Sequence, residues 1–294
     1  MLSLDIEQRY LTVAPIIVTS PTTRCGTTLL QRLLSASDNA FLYGEEVGNH
    51  FATLTAWFGT VFAQLSKDGA ARDAAFQQAL AGELDHWSPN VNVPTAVMMK
   101  AWQDTYFQLP MALAEHGRSI GRPLWGFKWP AYTRDMIKAF LALMPHAKVV
   151  YVYRNPVDAA MSAKARRFVT TADEIAAFSS EWARNLDECS ALAADGRVLF
   201  LKYETLVEDR EAQTQRIEAF TGAANLRRGL FETKVNTFRG EARDGRSPTQ
   251  YIEPLALTDA ERDLVVSRAG ATMAAHYPAS LGGGNSAPLA PRGA

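Results

Sequence analysis

Residues 14–28 read Ala14-Pro-Ile-Ile-Val-Thr-Ser-Pro-Thr-Thr-Arg-Cys-Gly-Thr-Thr28, in which a short apolar run passes into a polar loop. The run that ends at Thr19 is rich in β-branched residues, which is typical of a buried parallel strand. Beyond the loop, leucines recur on one side of residues 27–35, which indicates a helix. The stretch therefore predicts a strand, a tight loop and a helix in direct succession.

The loop between this strand and this helix has the chemistry of a phosphate-binding site. Gly26 lets the backbone approach an anion closely, and the amides of Gly26, Thr27 and Thr28 would stand where helix dipole and free donors favour negative charge. Arg24 adds a full positive charge. No Lys follows Gly26 and no Gly precedes it at the required distance, so the loop is not a Walker A motif. Taken alone, it is also compatible with an ordinary helix start.

The rest of the chain alternates strands with helices. Further strands are predicted at residues 41–43, 124–127, 146–153 and 198–201. Helices are predicted at residues 133–144, from 157, and at 173–194, 210–221 and 258–276, the last with a capping box of Thr258 and Glu261. We therefore expect an α/β fold, a P-loop-like three-layer sandwich with a central parallel sheet.

One long segment interrupts the alternation. Residues 47–121 have a helical pattern rich in alanine and aromatic residues, which predicts a helical insertion at one sheet edge. The insertion is either an acceptor-binding cap or plain scaffold. We expect one domain over residues 1–280 and a disordered tail, rich in Gly, Pro and Ala, over residues 281–294.

Composition limits the partners. A net charge of −1 over 294 residues offers no field for nucleic acid. Two cysteines, Cys25 and Cys189, fit a reducing compartment. The first ten residues lack a basic start and a continuous apolar run, and no window approaches the roughly 20 apolar residues of a membrane span. We expect a cytoplasmic protein with no membrane partner, and its oligomeric state is left open.

A second group of residues follows the clearest strand. Arg154 comes directly after the strand predicted at residues 146–153, and Ser162 lies eight residues further on, inside the next helix. The two side chains could converge on one phosphate, with a charge-assisted fork from the guanidinium; a surface ion pair is the alternative for the Arg. Ligands of parallel sheets lie beyond the carboxyl ends of the strands, so both groups belong to one edge.

Four segments resemble, in order and spacing, the motifs of sulfotransferases that use 3′-phosphoadenosine 5′-phosphosulfate (PAPS). Arg24-Cys-Gly-Thr-Thr28 is similar to their 5′-phosphosulfate loop, commonly Arg/Lys-Ser-Gly-Thr-Thr, and residues 149–162 resemble their 3′-phosphate motif. Gly126-Phe-Lys128-Trp-Pro130 resembles the Lys-x-Pro element, and Lys202-Tyr203-Glu204 resembles the Tyr-Glu-x-Leu segment near the adenine. The resemblance covers about two thirds of the chain and implies an α/β fold that binds PAPS and releases PAP.

For the sulfuryl end of PAPS, the resemblance implies a role for each matching residue. Arg24 would contact the 5′-phosphosulfate and stabilise the bridging oxygen as it leaves. Gly26, Thr27 and Thr28 would cradle the 5′-phosphate, and Lys128 would neutralise charge on the sulfuryl group.

For the nucleoside end, the resemblance implies that Arg154 and Ser162 hold the 3′-phosphate and that Tyr203 lies near the adenine. Sulfotransferases often have a basic, Gly-containing loop that closes over the 3′-phosphate. Arg243 lies in a segment of that kind with Arg239 and Arg246, which makes it a further candidate; a solvated loop is the alternative.

Cys25 departs from the Ser usual in the family. Its backbone amide can still bind the phosphate, although one hydroxyl contact is lost. A thiol at a helix N-terminus can have a lowered pKa, which leads to the hypothesis of redox sensing at this position.

The transfer also needs a base, since an acceptor hydroxyl must lose its proton as it attacks sulfur in line. Gly44-Glu45-Glu46 ends the second predicted strand at the edge of the phosphate loop. It resembles the Gly-Glu-Glu of tyrosylprotein sulfotransferases, which favours Glu46, and the Gly-Glu of bacterial small-molecule sulfotransferases, which favours Glu45. Both stay open, and His50 is a weaker candidate.

The sequence therefore predicts sulfuryl transfer from PAPS to a hydroxyl of a small molecule or a peptide. No metal is expected, because the five histidines are scattered and Arg24, Lys128 and Arg154 supply positive charge. A phenol, a lipid-like alcohol, a natural product or a tyrosine would suit, and a carbohydrate stays open. The alternatives are a magnesium-dependent P-loop kinase or hydrolase and a non-catalytic PAPS or PAP binder.

Overall fold

A sheet of five parallel strands forms the centre of the computed structural model, which describes residues 6–83, 93–232 and 254–278. The order across the sheet is β2-β3-β1-β4-β5. The strands are β1 (Ile16–Thr19), β2 (Ala40–Tyr43), β3 (Leu124–Lys128), β4 (Lys148–Tyr153) and β5 (Val198–Lys202). Every predicted strand is therefore confirmed, with bounds shifted by two residues or fewer.

Helices connect the strands and continue beyond the sheet. They are α1 (Thr27–Ser35), α2 (Glu45–Leu80), α3 (Thr95–Ser119), α4 (Arg134–Leu143), α5 (Pro156–Ala165), α6 (Ala172–Ser190), α7 (Tyr203–Glu208), α8 (Arg210–Thr221) and α9 (Asp259–His276). The bounds of α1 and α8 are as predicted. Helix α6 ends four residues earlier than predicted, because the amides of Leu192 and Ala193 bond to the carbonyls of Cys189 and Ser190, three residues back, and so form turns that lead toward β5.

The predicted capping box of α9 is confirmed. Thr258 Oγ1 accepts a hydrogen bond from the Glu261 amide at 3.2 Å, and Glu261 Oε2 accepts one from the Thr258 amide at 2.7 Å. Lys164 Nζ on α5 lies 2.7 Å from the same carboxylate. The cap therefore also attaches α9 to α5, which carries part of the predicted site.

Successive strand residues point to opposite faces of the sheet, and helices bury both faces. Ile17 and Tyr151 belong to a hydrophobic cluster formed with α2 to α6 and α9. Ile16, Val18 and Val150 belong to a second cluster, formed with α1, α7 and α8. This arrangement of helices, sheet and helices confirms the predicted three-layer α/β fold.

The strand order reverses at β1. From β1 the chain moves to the edge strand β2 and returns to β3; it then crosses to β4 and β5 on the other side. In open parallel sheets, the crevice at the carboxyl ends of the strands beside such a reversal is where ligands bind. The loop after β1, and the residues that follow β3 and β4, lie at this crevice.

The expected helical insertion contains α2 and α3. Helix α2 begins at Glu45, so Glu45 and Glu46 form its first turn instead of extending β2. Phe51 is fully buried and stacks on Phe127 of β3 with ring centroids 4.2 Å apart, and Phe58 is also buried. These two aromatic side chains are thus part of the core, as the scaffold interpretation expected.

The tail, the extent of the domain and membrane-spanning helices were also the subject of expectations. The predicted tail, residues 281–294, lies outside the described residues, and the single-domain extent stays a prediction. Within residues 6–83, 93–232 and 254–278, every helix is too short or too polar to cross a lipid bilayer.

We expect Gly126→Ala to disrupt the sheet. A Cβ at Gly126 would overlap the carbonyl oxygen of Ile16, its partner in the β1–β3 register. Because backbone atoms that are hydrogen-bonded in a sheet cannot move away from the added Cβ, the free energy of unfolding should fall by about 3 kcal/mol or more. Gly59→Ala on the exposed side of α2 is the control, since no atom lies within 4 Å of the added Cβ. It should raise stability by up to about 1 kcal/mol. Urea denaturation measures both, and equal midpoints would contradict the packing argument.

Candidate active site

The loop after β1 has a backbone suited to binding an anion. Arg24 and Gly26 have left-handed φ values of 70° and 106°, separated by Cys25. Alternation of this kind turns successive amides toward one point, as in the concave nests that bind phosphate. Asn185 of α6 donates to the Pro21 carbonyl at 2.7 Å, which attaches the loop to the helix behind it.

The structure contradicts the lowered thiol pKa on which the redox hypothesis for Cys25 rests. The Cys25 side chain is completely buried, with Sγ 3.6 Å from Thr22 Oγ1 and 3.8 Å from the Thr23 carbonyl. Burial raises the pKa of the thiol, because the thiolate would lose its hydration. The thiol belongs to the hydrophobic core. The backbone amide is the only part of Cys25 left for a phosphate.

Lys128 joins the phosphate loop to the candidate bases. Its Nζ donates to Thr28 Oγ1 at 3.1 Å and lies 2.7 Å from Glu45 Oε1. The Lys128 side chain is 7% exposed, whereas that of Glu45 is 52% exposed. The ammonium group of Lys128 is thus buried in the site, and the carboxylate of Glu45 lies between it and the solvent.

The two glutamates are not equivalent. Glu45 reaches Lys128, while Glu46 is exposed and forms no ion pair with a cation of the described part of the chain. Gly44 ends the extended backbone and α2 begins with Glu45, which turns successive side chains about 100° apart. The helical phase thus separates two residues that sequence motifs left equal. His50 is exposed on the same helix.

The two phosphate-binding groups predicted from the sequence meet in space. Arg24 Nε donates to Ser162 Oγ at 3.1 Å, and an Arg154 guanidinium nitrogen donates to the Arg24 carbonyl at 3.5 Å. The pKa of Arg24 is lowered to about 10, first by burial and then by the positive charges of Arg166 and Arg154. Like charges gathered in this way favour a ligand with several negative charges.

Tyr203 closes the other side of the phosphate loop. It begins α7 directly after β5, and a Cβ at Gly26 would lie 2.8 Å from Tyr203 Cε2 and overlap Cδ2. The Arg154 guanidinium carbon lies 4.8 Å from the centre of the Tyr203 ring. The ring therefore packs between the loop and the second arginine, and its adenine contact stays a prediction.

Several supporting contacts were missed from the sequence, including that of Glu204, which was noted only as part of the Tyr-Glu segment. Trp182 Nε1 donates to the Arg154 carbonyl at 3.0 Å, and Glu204 Oε1 accepts from the Asn155 amide at 2.8 Å. Asn185 holds the phosphate loop through the Pro21 carbonyl. Trp182 and Asn185 lie three residues apart on α6, so one helix face supports both phosphate-binding groups. Arg166 was also missed, although it follows Ser162 by one helical turn.

The donors of this site fit a ligand with two anionic groups. Arg154 Nε is buried and lacks a hydrogen-bond acceptor in the described part of the chain. A phosphate oxygen would satisfy this donor, which is costly to leave unpaired. The amides after Arg24 would take a second anionic group. Arg243 lies outside the described residues, so its role stays a prediction.

Among residues 6–83, 93–232 and 254–278, no group of three or more His, Cys, Asp or Glu side chains is placed to hold a metal ion.

Comparison with known proteins identifies the family. The family model described as "Sulfotransferase family" matches residues 15–225, from the start of β1 to beyond α8. The chain belongs to the sulfotransferase family. Membership of this family supports sulfuryl transfer over the phosphoryl transfer of a kinase and over the hydrolase alternative. No curated protein matches the chain significantly.

Solved structures resemble this sulfotransferase at low sequence identity. A sulfotransferase domain from the olefin synthase of Synechococcus PCC 7002 is 19% identical, with a TM-score of 0.48, covering 86% of this chain and 94% of that one. A Mycobacterium avium sulfotransferase is 13% identical, with a TM-score of 0.44 and coverages of 92% and 79%. A mouse sulfotransferase solved in complex with PAP is 12% identical, with a TM-score of 0.45 and coverages of 90% and 90%.

We expect Gly26→Ala to cost more stability than its backbone conformation alone explains. An Ala in the left-handed conformation costs about 1 kcal/mol of stability. Gly121→Ala is the control that measures this backbone cost alone, since φ there is 73° and no atom lies within 4 Å of the added Cβ. At Gly26, overlap with Tyr203 should add about 1–3 kcal/mol to the loss. In a Tyr203→Ala background the added loss should disappear. Urea unfolding of the single and double variants measures it; an unchanged cost of Gly26→Ala in that background would contradict the contact.

Proposed function

We propose that this sulfotransferase transfers the sulfuryl group of PAPS to an acceptor hydroxyl by in-line displacement, with Glu45 as general base. The observation that carries the proposal is the position of Lys128 Nζ, 3.1 Å from Thr28 Oγ1 of the phosphate loop and 2.7 Å from Glu45 Oε1. One buried cation thereby links the group that would bind the donor to the group that would activate the acceptor.

The phosphate loop and α5 would hold the nucleotide. PAPS supplies an activated sulfuryl group attached to its 5′-phosphate. The amides of Gly26, Thr27 and Thr28 would bind the 5′-phosphate, with Arg24 close to the bridging oxygen. The buried, unpaired Nε of Arg154 supports a 3′-phosphate at that arginine, together with Ser162.

Lys128 would stabilise charge on the transferring group. Its side chain is almost fully buried, so its charge is poorly screened by water and acts strongly on a neighbouring oxygen. The hydrogen bond to Thr28 directs the ammonium toward the start of α1, where the 5′-phosphate would lie.

Glu45 would take the proton of the acceptor. Its contact with Lys128 supports its choice over Glu46, because a base must stand next to the group under attack. The half-exposed carboxylate can meet a hydroxyl that arrives from solvent. We propose a small molecule or a peptide as the acceptor, and the cytoplasm as the compartment.

The first test is PAP binding without magnesium. Isothermal titration in EDTA should give binding by the wild type, and Arg154→Ala should raise the Kd by about 10- to 100-fold, which matches a lost charge-assisted hydrogen bond. Arg118→Ala is the matched control, because Arg118 is exposed and forms an ion pair with Glu115 away from the phosphate loop. Absence of binding by folded wild-type protein would remove the nucleotide from the proposal.

The second test separates the two glutamates. An acceptor is first identified by screening phenols, alcohols and tyrosine peptides with radiolabelled PAPS. Glu45→Gln should then lower kcat by about 10²- to 10⁴-fold, because general base catalysis contributes that much. Glu46→Gln should stay within about threefold of the wild type, and both variants should bind PAP.

The reverse ranking of the two variants would assign the base to Glu46. PAP binding without turnover of any acceptor would instead favour a non-catalytic binder.

A further inference from the structure

The peptide bond between Arg154 and Asn155 is held at both ends. Trp182 Nε1 donates to the Arg154 carbonyl at 3.0 Å, and Glu204 Oε1 accepts from the Asn155 amide at 2.8 Å. Because the peptide unit is planar, fixing both its oxygen and its N–H fixes its orientation. The direction in which the Arg154 side chain leaves the backbone follows from that orientation.

The same peptide also begins α5. Asn155 caps the helix, with its Oδ1 accepting from the Val157 amide at 2.9 Å. Ser162 lies two turns further along this helix. A displaced peptide would therefore move Arg154 directly and Ser162 through the rigid helix.

Tyr277 in turn fixes Glu204. The Tyr277 hydroxyl donates to Glu204 Oε2 at 3.1 Å, so the two carboxylate oxygens serve two different donors. Tyr277 follows α9 and is only 4% exposed; Lys202 Nζ lies 4.0 Å from its ring centre, and the Tyr153 ring meets it edge-on. Burial and the nearby negative charge of Glu204 raise the pKa of Tyr277 well above its ordinary value, so the hydroxyl remains a donor.

We propose that Glu204 and Tyr277 are positioning residues for the 3′-phosphate: they orient the Arg154–Asn155 peptide and thereby the side chains of Arg154 and Ser162. The inference rests on the proposed PAP site. It assigns a task to the Glu of the Tyr-Glu segment, next to Tyr203, for which the resemblance implies an adenine contact. It also makes nucleotide affinity depend on Tyr277, which directly follows α9.

The test compares two ligands that differ in the 3′-phosphate. PAP and adenosine 5′-monophosphate, which lacks that phosphate, are titrated calorimetrically into the wild type, Glu204→Ala, Glu204→Gln and Tyr277→Phe. Glu204→Ala should raise the Kd for PAP about tenfold and leave that for the monophosphate within about twofold. Glu204→Gln should recover most of the PAP affinity, because its amide oxygen can still accept from Asn155. Tyr277→Phe should fall between these two variants.

Glu208→Ala is the matched control, since Glu208 is exposed on the same short helix α7. Thermal unfolding confirms that each variant is folded, and Tyr277→Phe still tests the inference if Glu204→Ala fails to fold. With the acceptor from the screen, the KM for PAPS should rise in Tyr277→Phe while kcat stays within about twofold.

Two results would overturn the inference. One is unchanged PAP affinity in Tyr277→Phe and Glu204→Ala while Arg154→Ala loses affinity. The other is an equal loss for both ligands, which general loosening of the site would produce. Failure of the wild type to bind PAP is a different outcome, because it contradicts the proposed function itself.

Discussion

The site depends on holding Arg24 close to Arg154 and Arg166, three cations that repel one another. Burial together with these two charges lowers the pKa of Arg24 to about 10, so the arrangement is unfavourable for the folded chain by itself. The surrounding structure has to maintain it: Arg24 is hydrogen-bonded to Ser162, and its loop is attached to α6 through Asn185. A polyanionic ligand would relieve the repulsion, and a ligand that binds the folded state alone also stabilises it.

The sheet brings Lys128 next to the phosphate loop. Gly126 allows β3 to pack closely beside β1, and the register sets Lys128 opposite Val18, two residues before the phosphate loop. The buried Lys128 side chain donates to Thr28, and the half-exposed Glu45 carboxylate forms an ion pair with Lys128. Three elements distant in sequence thus meet because parallel strands end at one edge.

The sequence was sufficient to predict the strands, the bounds of α1 and α8 and the meeting of Arg24, Arg154 and Ser162 at one edge, because these follow from periodicity and from strand ends. Lys128 was assigned to the same site by the resemblance. It left Glu45 and Glu46 equal, since only the start of α2 decides which one turns toward Lys128. For Cys25, the helix N-terminus is visible in the sequence but the depth of burial is not, and burial determines its pKa. The supporting contacts of Trp182, Glu204 and Tyr277 join elements far apart in sequence, which a single sequence does not reveal.

Fixing the backbone of Arg154 has a chemical advantage over fixing its side chain. An ion pair with a carboxylate would hold the guanidinium equally well, but it would neutralise the charge and occupy the donors that a phosphate needs. In the described part of the chain, Arg154 forms no such pair; its guanidinium lies over the Tyr203 ring and contacts the Arg24 carbonyl. The carboxylate of Glu204 acts instead on the following amide, one atom beyond the carbonyl that Trp182 holds. The residue is thereby oriented through its peptide, and its charge stays available to an anion.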